Sequence, residues 1–131
     1  MGKIKGCPMT NLLLTALMLL SSWHATGTEH RITWYWPSED GWGTAVADQS
    51  LMAHGPLPVE SWSWPLCAVS PDLLRQWPYG TWLWVEDVGL RRVSDRTAEW
   101  VHNTVDIRVP TRHMDMKRCR VWVIFKPRSV K

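Results

Sequence analysis

A marked charge excess, a long apolar run and a metal-ligand motif are all missing from this 131-residue sequence. The formal net charge is +3, and the apolar run at 12–20 is much shorter than the about 20 apolar residues of a transmembrane helix. Five histidines lack the close spacing of metal ligands, namely His24, His30, His54, His102 and His113. We therefore expect no nucleic-acid partner, no bound metal and no cofactor.

The first 27 residues have the layout of a secretory signal. Two lysines precede the apolar run "LLLTALMLL" at 12–20, and the small residues Ala25, Thr26 and Gly27 follow it. A basic start, a short apolar centre and a small-residue cleavage site are typical of export signals. We expect cleavage near Gly27 and an exported protein, periplasmic or extracellular, without a stable membrane span. An uncleaved amphiphilic anchor is the alternative.

The mature domain, residues 28–131, is nearly neutral and poor in cysteine. Removing the signal takes away two lysines and no acids, so 13 basic and 12 acidic residues leave a net charge of +1. About 104 residues suffice for one compact domain with a single core, which we expect to be monomeric. Cys67 and Cys119 are its only cysteines. In an oxidising compartment they could form a disulfide, and two buried thiols are the alternative.

Strand periodicity dominates the mature chain. In "TVDIRV" at 104–109, Val105 and Ile107 project to one face and Asp106 to the other. Two brief helices are predicted at 71–77 and at 110–118, the second beginning with a proline. Six short strands are predicted, at 31–36, 66–69, 81–86, 90–95, 104–109 and 119–126. This pattern is typical of a small all-β barrel or sandwich.

An ordered series of motifs surrounds two acids that stand eleven positions apart, Asp95 and Asp106. It runs "CAVSPDL", "YGTWLWVEDVGLRRVSDRT", "HNTVDIRVPT" and "RVWVIF", over roughly residues 66–126. The series resembles the three-aspartate (3D) domain family, a double-psi β-barrel also similar to the C-terminal part of membrane-bound lytic transglycosylases. The eleven-residue step between the second and third acids is its most specific element, and Asn103 falls where the family has asparagine.

The sequence also departs from the family pattern. Ser70 stands where the family has its first aspartate, and Asp72 lies two residues further on. The segment Arg96-Thr97-Ala98 replaces the family glycines that follow the second acid, and His102 replaces the glycine before Asn103. These replacements change the backbone angles that the loops tolerate.

The resemblance implies an exported enzyme that cleaves the bond between N-acetylmuramic acid and N-acetylglucosamine in peptidoglycan. In this chemistry the C6 hydroxyl of the sugar attacks and a 1,6-anhydro end forms, so one carboxyl group serves as acid and then as base. The match to the family's catalytic aspartate is Asp106, and Asp95 would orient substrate or adjust the pKa of Asp106. Asn103 and Ser70 would lie at the substrate-binding site. The alternative is a noncatalytic cell-wall glycan-binding barrel, which the departures from the family pattern favour.

The eleven tryptophans are a second reason to expect glycan binding. Trp100, between the two acids, is the one expected to line a groove and bind sugar. Most of the strand tryptophans are expected to fill the core, a group formed by Trp34, Trp36, Trp82, Trp84 and Trp122. We expect Arg96, Arg108 and Arg112 either to contact the carboxylates of a wall peptide or to be exposed to solvent without a partner.

Overall fold

Six strands form nearly all the regular structure in the computed structural model, which describes residues 27–38 and 43–128. They are β1 (Thr28–Tyr35), β2 (Leu66–Val69), β3 (Trp82–Val85), β4 (Gly89–Arg96), β5 (Thr104–Arg108) and β6 (Lys117–Phe125). A 3-10 helix spans Val59–Ser63, and the four-residue helix α1 spans Pro71–Leu74. The six predicted strands are confirmed. The proposed signal lies outside the described residues, apart from Gly27.

The helix predicted at 110–118 is wrong. This stretch is irregular up to Met116, and β6 begins at Lys117. Every side chain from Pro110 to Arg118 is exposed, so a helix there would bury no apolar face. Short helices without such packing are unstable in water. Within the described parts of the chain, no helix has the length and apolar character needed to cross a membrane.

The strands close into a mixed barrel in the order β1-β5-β2-β4-β3-β6. β1 runs parallel to β5, and β2 runs parallel to β4. The other neighbours are antiparallel. Closure leaves none of these six strands with an unpaired edge. Among the six, β3 and β4 alone are joined as a hairpin, whose turn uses positive φ angles at Asp87 and Gly89.

The barrel interior holds the inward-facing apolar side chain of each strand. Ile32, Val93, Val105 and Ile107 are fully buried there, and each contributes roughly 1.5–3 kcal/mol of hydrophobic stabilisation. Leu73, from α1, packs against the same core.

Cys67 and Cys119 are both free thiols in this core. Cys67 lies on β2 and Cys119 on β6, and these strands are not neighbours in the barrel. The disulfide that the sequence left open is therefore not formed. Burial raises the pKa of the Cys67 thiol to about 12.

A covering segment, residues 43–65, lies over part of the outer barrel surface. Val46 and Leu57 pack against Leu66 in a second, smaller apolar cluster. Asp48 fixes the segment to β4, because its backbone amide donates to Ser94 O at 3.0 Å and its carboxylate forms a 2.8 Å ion pair with Arg92. The segment that looked like an open loop in the sequence is thus partly packed on the barrel.

Candidate functional site

The two acids with the eleven-residue spacing lie on the same outer face of the barrel. Ala68 pairs with Asp106 on one side and with Asp95 on the other. Residues directly opposed on neighbouring strands project to the same face of a sheet. With strands about 4.8 Å apart, the backbones of the two acids are separated by roughly 10 Å. Asp95 and Asp106 therefore flank Ala68 and extend on the same side.

A β-bulge decides which residue of β4 faces outward beside Ala68. Cys67 pairs with Val93, but the next residue, Ala68, pairs with Asp95, so Ser94 is skipped. Without this bulge Ser94 would stand opposite Ala68. Bulges are known to re-aim side chains in this way. The local irregularity thus places the Asp95 carboxyl group on the face of Asp106.

Asp106 projects from the middle of β5 and is partly buried. Thr33, its partner on β1, donates a 2.7 Å hydrogen bond from Oγ1 to Asp106 Oδ1. Burial raises the pKa of Asp106, and the charge of Asp95 adds to this, while Thr33 and Arg31 oppose it. The net shift of the pKa is upward. The site therefore favours a protonated Asp106 more than water does.

Asp95 is held by the backbone around it. Its Oδ1 accepts hydrogen bonds from the amide of Arg96 at 2.9 Å and from the amide of Ala47, in the covering segment, at 3.3 Å. Burial raises the pKa of Asp95 and outweighs these two amides and the charge of Arg108, which lower it. Both carboxyl groups of the pair therefore have raised pKa values.

Ser70 is fully buried at the end of β2 and takes part in backbone pairing. Its amide donates to Thr104 O at 3.0 Å, and its Oγ accepts the Thr104 amide at 3.0 Å. Asp72 accepts the backbone amide of Asn103 at 3.0 Å through Oδ2. Burial raises the pKa of Asp72, but hydrogen bonds from Ser70, Asn103 and Leu73 outweigh it and the pKa is lowered. Both residues fix the start of β5, two positions from Asp106.

Asn103 adopts the left-handed conformation, with φ of 50°, which asparagine tolerates better than most residues. Its Oδ1 lies 2.5 Å from Nδ1 of His30, and the Nε2 of His30 lies 2.6 Å from Thr28 Oγ1. Burial lowers the pKa of His30, which favours a neutral ring. A neutral His30 donates from Nδ1 to Asn103 and accepts at Nε2 from Thr28. Sequence reasoning missed this role, although His30 alternates with the buried Ile32.

The cavity that Trp100 borders is lined by neither of the two acids. Trp100 is 80% exposed, and the cavity has a volume of about 470 Å³. The lining residues are Arg31, Trp100, Val101, His102, Asn103 and Arg118. Arg31, which lines this cavity, lies two residues before Thr33 on β1. Thr33 is the β1 partner of Asp106. The cavity and Asp106 therefore lie next to one another along the same face of the barrel.

Arg108 is buried, so it is not available to contact a wall peptide, unlike the exposed Arg96 and Arg112. Its guanidinium lies 3.9 Å from the ring centroid of Trp62 and donates to Ser61 Oγ at 3.2 Å. Sequence reasoning missed this, because Arg108 belongs to the predicted outward face and the sequence does not reveal the covering segment.

The tryptophans divide between core and surface in a way that the strand pattern predicted only in part. Trp122 is buried, but Trp84 is 45% exposed on β3. Two of the buried tryptophans, Trp62 and Trp77, lie outside the strands.

No group of three or more His, Cys, Asp or Glu residues within 27–38 and 43–128 is arranged to hold a metal ion. No protein-family model matches the chain, and searches of curated proteins and of solved structures found no match either.

Proposed function

We propose that the barrel is a double-psi β-barrel of the 3D type. The strand order supports this proposal, because β1 and β2 follow one another in the chain but have β5 between them in the barrel. In the same way β4 and β5 are consecutive and have β2 between them. Two interlocked connections of this kind, each spanning an inserted strand, are compatible with a double-psi topology.

The function that the site supports best is an exported, lytic transglycosylase-like enzyme acting on peptidoglycan in the periplasm or outside the cell. One observation carries this proposal: Asp106 is partly buried on the same face as Asp95, with a raised pKa. A general acid must hold its proton near the working pH, and burial beside a like charge favours this.

In the proposed reaction, Asp106 donates its proton to the oxygen of the bond between N-acetylmuramic acid and N-acetylglucosamine. The bond from C1 to that oxygen breaks, and a bond from C1 to O6 of the same muramic acid forms. The Asp106 carboxylate then takes the proton from the C6 hydroxyl, so no water is consumed. Because the C6 hydroxyl belongs to the same sugar, its effective concentration at C1 is high, and the protein needs to supply little more than this carboxyl group. Thr33 holds the carboxyl group in place, and Asp95 raises its pKa.

The test is mass spectrometry of peptidoglycan digested with the purified protein, with anhydro-muramyl products as the readout. Asp106→Asn keeps the size of the side chain and accepts the Thr33 hydrogen bond, but it cannot deliver a proton. We expect it to lower product formation at least about 100-fold. Asp95→Asn should have a smaller effect. Asp115→Asn, in the exposed loop before β6, is the matched control and should retain full activity. Equal activity of wild type and Asp106→Asn would contradict the proposal.

A noncatalytic glycan-binding barrel is the second candidate. It is favoured by the Asp95 carboxylate, which already accepts two backbone amides, and by the buried Ser70 at the position of the first family acid. This candidate predicts that wild type forms no anhydro product but sediments with insoluble peptidoglycan, and that Asp106→Asn sediments equally well.

A further inference from the structure

We propose that the apolar run at 12–20 packs on the outer surface of β3 and β6 in a chain that keeps its first 26 residues. We call this surface the apolar face; it consists of Trp82, Trp84, Leu90 and Phe125. Two fates are open for the N-terminal segment, cleavage or retention. The apolar face gives a retained segment a binding site on the barrel of its own chain.

The apolar face is built from cross-strand neighbours on β4, β3 and β6. Trp84 on β3 stands opposite Leu90 on β4 and opposite Trp122 on β6. Trp82, two positions earlier on β3, stands opposite Phe125. Directly opposed residues project to the same side of a sheet, and three of these side chains, Trp84, Leu90 and Phe125, are 45%, 40% and 57% exposed. Contiguous exposed apolar patches are often binding surfaces.

The chain enters the barrel beside this face. Gly27 comes directly before Thr28, which pairs with Val121 on β6. A Cβ atom at Gly27 would lie 2.5 Å from Nε1 of Trp122, so the backbone at this position runs against the indole ring. Because Trp122 stands opposite Trp84, the N-terminal segment joins the barrel at the border of the apolar face.

The apolar run is close enough to the apolar face to cover it. Seven residue steps separate Leu20 from Gly27, and an extended chain of that length spans at most roughly 25 Å. In the barrel β6 lies between β1 and β3, so β3 is roughly 10 Å from β1. The run at 12–20 contains no charged residue, so its burial against tryptophan leaves no charge unpaired.

The size of the apolar face favours a tethered segment over a separate partner. With the exposed fractions of its side chains, the face presents roughly 300–400 Å² of apolar surface. A second copy of the chain, or another folded protein, would use about 800 Å² on each side of a stable interface. A segment of the same chain needs less area, because its tether gives it an effective concentration in the millimolar range.

The position of Gly27 also affects processing of the N-terminal segment. Thr28 and Glu29, which follow Gly27, are paired with β6. Proteases cut most readily at exposed loops whose backbone is not hydrogen-bonded. Cleavage near Gly27 would therefore have to precede folding or require this end of β1 to leave β6. A chain that folds first keeps the segment beside the apolar face.

The experiment is photo-cross-linking of the full chain, residues 1–131, in detergent-free buffer. Trp84 is replaced by the photoreactive p-benzoylphenylalanine, and cross-linked peptides are mapped by mass spectrometry. We expect the cross-links to reach residues 12–20. In a mixture of ¹⁵N-labelled and unlabelled protein, both peptides of each cross-link should carry the same label, because the contact is within one chain. Trp100, which is more exposed and lies outside the apolar face, is the matched position for the same replacement and should give few such cross-links.

A charge in the apolar run tests the contact from the other side. Leu14→Asp and Leu17→Asp should each lower the yield of cross-links from position 84 at least about tenfold, because a charge would be buried without a partner. Ser22→Asp adds the same charge outside the run and should keep the yield. Circular dichroism shows whether the barrel of each variant is intact.

Three results would overturn the inference. The first is a folded protein in which position 84 forms no cross-link to residues 12–20, or no more than position 100 forms. The second is cross-links that join labelled to unlabelled peptides, which would assign the apolar face to a second copy of the chain. The third is an undiminished yield in folded Leu14→Asp and Leu17→Asp.

Discussion

Arg108 is the side chain whose replacement tests most sharply how the covering segment is attached to the barrel. Its guanidinium stacks on Trp62 at 3.9 Å, and it donates to Ser61 Oγ at 3.2 Å and to Thr44 O at 3.4 Å. A desolvated cation–π contact is worth about 2 kcal/mol. The two long hydrogen bonds together add about 1.5 kcal/mol, the low end for one bond to a charged group.

One feature of Arg108 opposes this stabilisation. Its Nε is buried and has no hydrogen-bond partner within the described structure. An unsatisfied buried donor costs about 1–2 kcal/mol, which Arg108→Met would recover. The net loss of unfolding free energy expected for Arg108→Met is therefore about 2 kcal/mol. Arg108→Ala also leaves a cavity, so we expect about 3–4 kcal/mol for it.

The assay is urea unfolding followed by tryptophan fluorescence, which is suited to a chain with this many tryptophans. Arg112→Met and Arg112→Ala are the matched controls, because Arg112 is exposed and should change the unfolding free energy by less than about 0.5 kcal/mol. Equal urea midpoints for Arg108→Ala and Arg112→Ala would show that Arg108 does not hold the covering segment on the barrel.

Three further predictions concern the core, the thiols and the acids. Ile107→Ala should lower the unfolding free energy by about 2–5 kcal/mol in urea titrations, because Ile107 is fully buried; a loss below 1 kcal/mol would mean that the core is not packed as described. Cys67 should resist alkylation in the native protein and react in urea, while a disulfide with Cys119 would instead appear as a mass two daltons lower and no reaction in urea. Because the pKa of Asp106 is raised in the folded protein, its contribution to stability is complete below about pH 3.9 and is lost as the pH rises through the native pKa. Thermal unfolding from pH 4 to 8 should therefore show Asp106→Asn gaining stability over wild type as the pH rises, and a constant difference would count against the raised pKa.

Strand alternation was enough to predict the six strands and, for β5, which side chains project into the barrel and which project outward. Val105 and Ile107 are inside the barrel and Asp106 outside, as the period of two requires. Proline at position 110 suggested a helix because it suits a first helical turn, but the segment that follows has no apolar face to bury.

The remaining features depend on contacts between residues far apart in the chain. The bulge at Ser94, which brings Asp95 beside Ala68, follows from the register of β2 against β4 and has no local signature. The opposition of Arg31 and Arg118 likewise exists only once β1 pairs with β6. Such pairings are set by closure of the barrel, so the spacing of residues in the sequence could not predict them.

Asp95 and Asp106 lie on one face of the barrel, where burial and the charge of Asp95 favour the protonated form of Asp106. Carboxyl ¹³C NMR titration of selectively labelled protein measures this directly. We expect the pKa of Asp106 to be raised in wild type and to fall in Asp95→Asn, where the neighbouring negative charge is gone. An ordinary aspartate pKa for Asp106 that is unchanged in Asp95→Asn would show that the two carboxyl groups do not interact.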